Sequence, residues 1–154
     1  MRLLLVVVGR ARAGAMASLI DDYEARAARY WSLDVREVRE EPARARTPAS
    51  VRDREGERLL ASAGSARVVA CDASGELLTS EQLAAWLGRE RDHSAHDVAF
   101  LVGGAFGLSP AVRARAERSL ALSRFTLPHE LARLVLTEQL YRAGTIVRGE
   151  PYHK

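Results

Sequence analysis

Short apolar runs alternate along this chain with longer segments whose apolar residues recur every three or four positions. Arg2 to Val8 is continuous, rich in leucine and valine, and ended by Gly9. Such a run reads as a strand buried on both faces of a parallel or mixed sheet. Met16, Leu19, Ile20, Tyr23, Ala27 and Tyr30 follow at helical spacing, with Asp21, Asp22, Glu24 and Arg26 between them. That pattern predicts an amphipathic helix. Leu33 to Val38 alternates moderately and predicts a short strand. Glu40 to Ser50 contains Pro42 and Pro48 with Arg44 and Arg46 between them, and reads as a loop whose arginines could touch a polyanion. A charged helix is expected over Val51 to Ala63, with Leu59 and Leu60 inward and Gly64 stopping it.

The second half repeats the alternation. Arg67 to Cys71 predicts a buried strand, and Asp72-Ala73-Ser74-Gly75 a turn leaving its C-terminal end. Thr79 and Gln82 have capping-box spacing ahead of Leu83, Trp86 and Leu87, so a helix begins there. Asp97 to Val102 is another buried strand. Ser109-Pro110 is an N-cap followed by a proline at the first helical position. Leu120 to Thr126 reads as a strand or extended segment, and Pro128 opens a last helix with Leu131, Leu134, Val135 and Glu138 along one face. Strands and helices in alternation place the chain in the α/β class with a mostly parallel sheet. No repeat or long linker divides it, so residues 1–154 read as a single domain.

Composition narrows the picture only a little. A chain of 154 residues with 47% hydrophobic and 28% charged residues fits one soluble domain with a real core. No apolar run approaches the length of a membrane span, and the apolar start is too short for a secretory signal. A single cysteine, Cys71, excludes an intramolecular disulfide and fits a cytoplasmic protein. The net charge is +3, and Lys154 is the only lysine among 23 basic residues. Arginine forks phosphate and stacks on bases better than lysine does, which leans towards an anionic partner such as RNA.

In open α/β sheets, ligands bind beyond the carboxyl ends of the strands. Three predicted strands end in informative residues: at Cys71-Asp72, at Gly103-Gly104 and within Leu122 to Leu127. If these strands are parallel neighbours, their ends form one crevice. Gly103, Gly104 and Gly107 let backbone approach a ligand closely. Their spacing is not the dinucleotide fingerprint, and a phosphate-binding loop ending in Gly-Lys-Ser/Thr is absent. Ser109 lies in no nucleophile-elbow context. Cys71 reads as a small buried hydrophobe, and Asp72 as a turn former that could instead face a ligand. His93 and His96 lack further ligands, so no metal site is predicted. His129, Arg142, Tyr152 and His153 combine donors, a π face and groups titrating near neutrality, which suits a base or phosphate substrate.

The segments VVGR, DYEARAARY, EGERLL, CDASGELLTSEQLA, FLVGGAFGLSP, LSRFTLPHELAR, EQLYRA and the terminal GEPYHK, in this order, resemble the ribosomal RNA large subunit methyltransferase H (RlmH) proteins of the SPOUT superfamily. The resemblance covers essentially the whole chain. It implies an α/β fold with a C-terminal trefoil knot, a feature that periodicity cannot reveal and that general experience disfavours. It further implies a homodimer holding S-adenosylmethionine, and methylation of N3 of a pseudouridine in helix 69 of 23S rRNA on the assembled 70S ribosome. Matched by motif, the cofactor contacts fall at Cys71, Gly103, Leu122, Ser123, Arg124, Phe125, Thr126 and Leu127, largely through backbone. Arg142, Tyr152, His153 and His129 are the implied groups for binding the target and stabilising its charge, with His153 the first choice of general base. The family usually has Leu-Asp where this chain has Cys71-Asp72. Gly103→Val is expected to block the crevice without unfolding the chain. Two other readings remain: a non-catalytic ribosome-binding factor that kept the fold, and a related knotted methyltransferase acting on transfer RNA.

Overall fold

The structure is a computed structural model that describes residues 1–42, 44, 47–93 and 95–153, the last without its side chain. Arg46, expected in the loop after the second strand, lies outside these residues. Strand β1 (Arg2–Val8) is buried on both faces, as its unbroken apolar run requires. Leu3, Leu5 and Val7 enter one core, and Leu4, Val6 and Val8 the other. Around it stand β2 (Ser32–Val38), β3 (Arg67–Leu77), β4 (Val98–Val102) and β5 (Arg118–Ala121), in the order β2-β1-β4-β3-β5 with every pairing parallel.

Parallel neighbours need crossovers, which the helices supply. Helices α1 (Ala15–Ala27), α3 (Ser80–His93) and α5 (His129–Val147) cover one face. There Phe100 of β4 meets Trp86 of α3 edge-to-face, with ring centroids 6.0 Å apart. Helices α2 (Pro48–Ala63) and α4 (Pro110–Arg115) cover the other face through Leu59, Ala63 and Val112. The predicted capping box at α3 forms in both directions. The Gln82 N–H donates to Thr79 Oγ1 at 3.2 Å, and the Thr79 N–H donates to Gln82 Oε1 at 2.9 Å. Ser109 caps α4 by accepting from the Val112 N–H at 3.3 Å.

Four expectations are corrected. Helix α2 begins at Pro48 rather than Val51, because Thr47 caps it by accepting from the Ser50 N–H at 3.1 Å and Pro48 suits the first turn. Helix α1 ends at Ala27, leaving Tyr30 beyond it. Strand β3 does not stop at Cys71. Both Cys71 and Glu76 oppose Leu120 of β5, so residues 72–75 form a bulge and the strand resumes as far as Leu77. Strand β5 ends at Ala121, and residues 122–128 are irregular.

The buried stripe of α5 is also turned from the predicted one. Arg133, Leu136, Leu140 and Ala143 are buried, whereas Leu131, Leu134, Val135 and Glu138 are half-buried. Arg133 reaches the interior because its guanidinium donates to Glu24 and Glu37, both at 2.7 Å. The Arg133 charge thus sits inward, paired and hydrogen-bonded.

The bulge brings Gly75 onto the β5 backbone. A Cβ added there would lie 2.6 Å from the Ser119 carbonyl carbon and 2.7 Å from the Leu120 nitrogen. Gly75→Ala is therefore expected to push β5 from β3 and destabilise the fold by about 1–3 kcal/mol. Urea denaturation measures the loss, and an unchanged midpoint would contradict this packing.

Candidate functional site

Since β3, β4 and β5 are adjacent and parallel, their carboxyl ends open together, and the segment after β5 closes the far side. The resulting crevice, about 240 Å³, is lined by Cys71 and Asp72, by Val102 to Ala105, by Gly107 and Leu108, and by Leu122, Ser123, Phe125, Thr126 and Leu127. His129 and Ala132 from the start of α5 complete the wall with Arg113. The predicted cofactor set is thus brought together, apart from Arg124. That side chain is exposed and does not line the crevice.

The glycine loop is held by its own backbone. Gly104 and Gly107 form an isolated antiparallel bridge, with the Gly107 N–H donating to the Gly104 carbonyl at 3.1 Å and Gly107 at a φ of 74°. A Cβ on Gly103 would fall 2.7 Å from the Gly107 carbonyl carbon and oxygen. The expectation that Gly103→Val fills the crevice without disturbing the fold is therefore corrected. A side chain at Gly103 displaces the loop itself before it meets any ligand. Behind the loop, a Cβ on Gly104 would fall 2.7 Å from Glu55 Oε2. Glu55 is buried; its Oε1 accepts from the Glu41 N–H at 3.0 Å and its Oε2 has no partner among the described residues. Burial, helped by the nearby negative charge of Glu40, pushes its carboxyl above the usual range.

Cys71 packs against the apolar core, and burial next to Asp72 pushes its thiol up to about 12. It stays a neutral thiol at physiological pH, in line with the hydrophobe reading. Asp72 behaves oppositely. Burial alone would raise its carboxyl, but the Ser74 hydroxyl donates at 2.6 Å, the Ser74 N–H at 2.9 Å and Arg113 Nε at 2.8 Å, which together hold it below the usual range. Arg113 was not foreseen. It sits forty-one residues from Asp72 in sequence, and only the parallel pairing brings them together.

The residues expected to act on the target divide into two groups. His129 lies in the crevice wall, with Nε2 3.8 Å from Glu40 Oε1. Arg142 and Tyr152 sit at the other end of α5, gathered by Glu138. Arg142 pairs with that carboxylate at 2.7 Å, and the Tyr152 hydroxyl donates to it at 3.2 Å. The Arg142 guanidinium lies 4.8 Å from the Tyr152 ring centroid, and Tyr152 packs on Tyr141 at 4.5 Å. Burial, followed by bonding to Tyr23 and the charge of Glu138, pushes the Tyr152 phenol upward. Glu138 was read only as a position on a helix face, although its spacing of four from Arg142 was visible. Thirteen residues of helix separate His129 from Arg142, about 20 Å at 1.5 Å per residue. One protomer does not bring all these groups together. The His153 side chain lies outside the described residues. Among the described residues no group of three or more His, Cys, Asp or Glu could hold a metal, and no helix is long and apolar enough to cross a membrane.

A family profile described as "Predicted SPOUT methyltransferase" matches residues 1–153. A ribosomal RNA large subunit methyltransferase H from Gemmatimonas aurantiaca is 58% identical over 155 residues, covering 100% of both chains. One from Anaeromyxobacter dehalogenans is 50% identical over 159 residues, again covering 100% of both. The chain belongs to the ribosomal RNA large subunit methyltransferase H family. Solved structures agree on the SPOUT fold. A probable methylase family protein from Haemophilus influenzae superposes with a TM-score of 0.52 at 14% identity, over 99% of this chain and 70% of that one. A transfer RNA methyltransferase from Aquifex aeolicus gives 0.50 at 15%, over 92% and 70%. In this member of the methyltransferase H family, the crevice at the ends of β3, β4 and β5 rests on the glycine bridge and on the Asp72 network.

Two outcomes follow. Gly103→Ala is expected to speed hydrogen exchange at the Gly107 amide by tenfold or more, because the Gly104–Gly107 bridge must open; unchanged protection would contradict the contact. Asp72→Asn is expected to cost about 1–2 kcal/mol at pH 7. A carboxyl lowered in the folded state stabilises above its unfolded pKa of about 3.9 and loses that contribution as the pH falls through the folded value. The gap between wild type and Asp72→Asn in urea melts should therefore close below about pH 4, and a gap that persists there would count against the assignment.

Proposed function

We propose that this chain, acting as one SPOUT domain in a homodimer, transfers a methyl group from S-adenosylmethionine to N3 of a pseudouridine in helix 69 of 23S rRNA on the assembled 70S ribosome. The observation that carries the reading is the convergence of Cys71, Gly103, Leu122, Ser123, Phe125, Thr126 and Leu127 on one crevice in a methyltransferase H chain. The relatives named above are, by name, methyltransferases of large-subunit ribosomal RNA. The reading carries with it the trefoil knot that the family resemblance implies for the C-terminal segment.

The residues present fit the cofactor. Val102, Leu108, Leu122 and Leu127 offer an apolar wall, and the glycine loop offers backbone close by. The Cys71 thiol remains protonated at neutral pH, so it is a poor acceptor of the methyl group. When bound, S-adenosylmethionine supplies an electrophilic methyl carbon on a sulfonium. The chain then has to hold the target nitrogen in line with that carbon, which is positioning work. The target imide must lose its proton, so groups that stabilise negative charge on the base matter. His129 stands at the crevice to accept or relay that proton, with Glu40 Oε1 3.8 Å from its Nε2. Arg142, its charge reinforced by Glu138, and Tyr152 are suited to binding the nucleotide or its phosphate. Their distance from His129 supports the dimer: a second copy would bring its own α5 terminus to the crevice of the first.

The test is methyl transfer to purified 70S ribosomes from a strain lacking this modification, with the nucleotide mapped by mass spectrometry. One methyl group at N3 of a helix 69 pseudouridine is expected, with little transfer to free 23S rRNA. A methyl group on transfer RNA would favour the knotted transfer RNA enzyme. Ribosome binding without cofactor binding would favour the non-catalytic factor.

A further inference from the structure

Arginines stand at both edges of the sheet, and those around the crevice edge include a row without acidic partners. At the edge where strands begin, the arginines on the strands themselves are neutralised, whereas Arg29 before β2 is exposed and makes no side-chain ion pair among the described residues. Arg2 pairs with Asp97 at 2.8 Å, Arg67 with Glu117 at 2.7 Å and also with Glu90, and Arg118 pairs with Glu76. At the edge where strands end, Arg12 follows β1, Arg39 and Arg44 follow β2, and Arg124 follows β5. All four are exposed, and among the described residues none makes a side-chain ion pair. The acids at this edge are engaged elsewhere: Glu41 with Arg58, Asp72 with Arg113, Glu37 with Arg133 and Arg10, Glu130 with the Arg12 N–H, and Glu40 with His129. The free guanidiniums therefore run from one side of the sheet to the other, across four strand spacings or about 19 Å.

An exposed aromatic ring stands beside the crevice. Phe125 is 82% exposed, the most exposed large apolar side chain in the structure, although it belongs to the crevice wall. Its backbone is fixed in a tight turn, with the Phe125 N–H donating to Ser123 Oγ at 2.9 Å. A chain in water does not gain by holding a phenyl ring out in solvent next to an unpaired guanidinium. A segment of unpaired RNA uses both: its phosphates suit a row of arginines, and its splayed bases stack on aromatic rings. A duplex would keep its base faces stacked and leave the ring unused.

We propose that the strand-end edge is an RNA track, in which Arg12, Arg39, Arg44 and Arg124 hold the phosphates of an unpaired segment while Phe125 stacks a base at the mouth of the crevice. This rests on the RNA methyltransferase reading for its partner, but it assigns residues and a mode of binding to that reading. The stacked base would sit beside the crevice wall, so that Phe125 selects unpaired over duplex RNA and Arg124 anchors the same nucleotide's backbone.

The test is equilibrium binding of the full-length protein to a labelled RNA hairpin with an unpaired loop, and to the same sequence closed into a duplex, over a salt series. The hairpin is expected to bind at least tenfold more tightly. Arg12→Gln, Arg39→Gln, Arg44→Gln and Arg124→Gln should each lower the salt slope of log K by about 0.7. Phe125→Ala should weaken hairpin binding by about 5- to 100-fold and duplex binding far less, with Phe125→Trp restoring it. Binding of S-adenosylhomocysteine, measured by calorimetry on the same variants, separates the alternatives. If Phe125→Ala weakens that binding as much as it weakens RNA binding, the ring is a cofactor lid. If the arginine variants leave the salt slope unchanged, the track is elsewhere. Both results overturn the proposal. Loss of methyl transfer by the wild-type protein, with the hairpin preference and salt slopes as expected, would instead overturn the methyltransferase reading and leave the track standing.

Discussion

The crevice depends on a backbone contact: β5 lies on β3 even though four residues of β3 depart from the ladder between Cys71 and Glu76. That departure is possible because Gly75 packs directly on the Ser119–Leu120 peptide. The bulge turns Asp72 towards Arg113 of α4, and the resumed ladder delivers the chain after Ala121 to the open ends of β3 and β4. A wider spacing between these strands would separate Leu122 to Leu127 from Gly103, and the apolar wall would have no second side. Side-chain chemistry in the crevice therefore rests on backbone packing several residues away.

The strands were legible in the sequence because a strand buried on both faces leaves an unbroken apolar run, as at Leu3 to Val8 and Val98 to Val102. The caps were legible because Thr79, Gln82 and Ser109 act on neighbours within three residues. The crevice itself was legible through the rule that parallel strands open at their carboxyl ends. What escaped was whatever depends on residues far apart in sequence. Arg133 went unremarked because nothing local announces that Glu24 and Glu37 will meet it. The bulge at residues 72–75 read as a terminal turn because a turn and a bulge use the same Asp and Gly. The clash that a side chain at Gly103 would meet escaped because its neighbour, the Gly107 carbonyl, is fixed only when the loop closes on itself.

The same distinction divides the candidate site. The wall residues come from three strand ends and are fixed by sheet topology. Arg142 and Tyr152 are fixed by a separate aromatic cluster in which Tyr141 packs on Tyr152 at 4.5 Å and on Tyr30 at 5.6 Å, while Tyr30 bonds Glu150. The sequence grouped them with His129 because they share the last helix and tail. A helix of nineteen residues is long enough to carry its two ends to different places.

Helix α5 has a consequence for how the chain folds. It closes the face of the sheet that holds Leu5, Val69 and Phe100, and it lies against α1, whose residues precede it by more than a hundred positions. Contacts of such long sequence separation form late, because loop closure must precede them. As the chain is synthesised, one core, that of α2 and α4, has all its elements once Arg115 is made. The other, covered by α1 and α3, stays incompletely covered until the last helix emerges. For that interval the nascent chain presents a partly open apolar sheet face, the kind of surface through which partly folded proteins associate with one another or with chaperones.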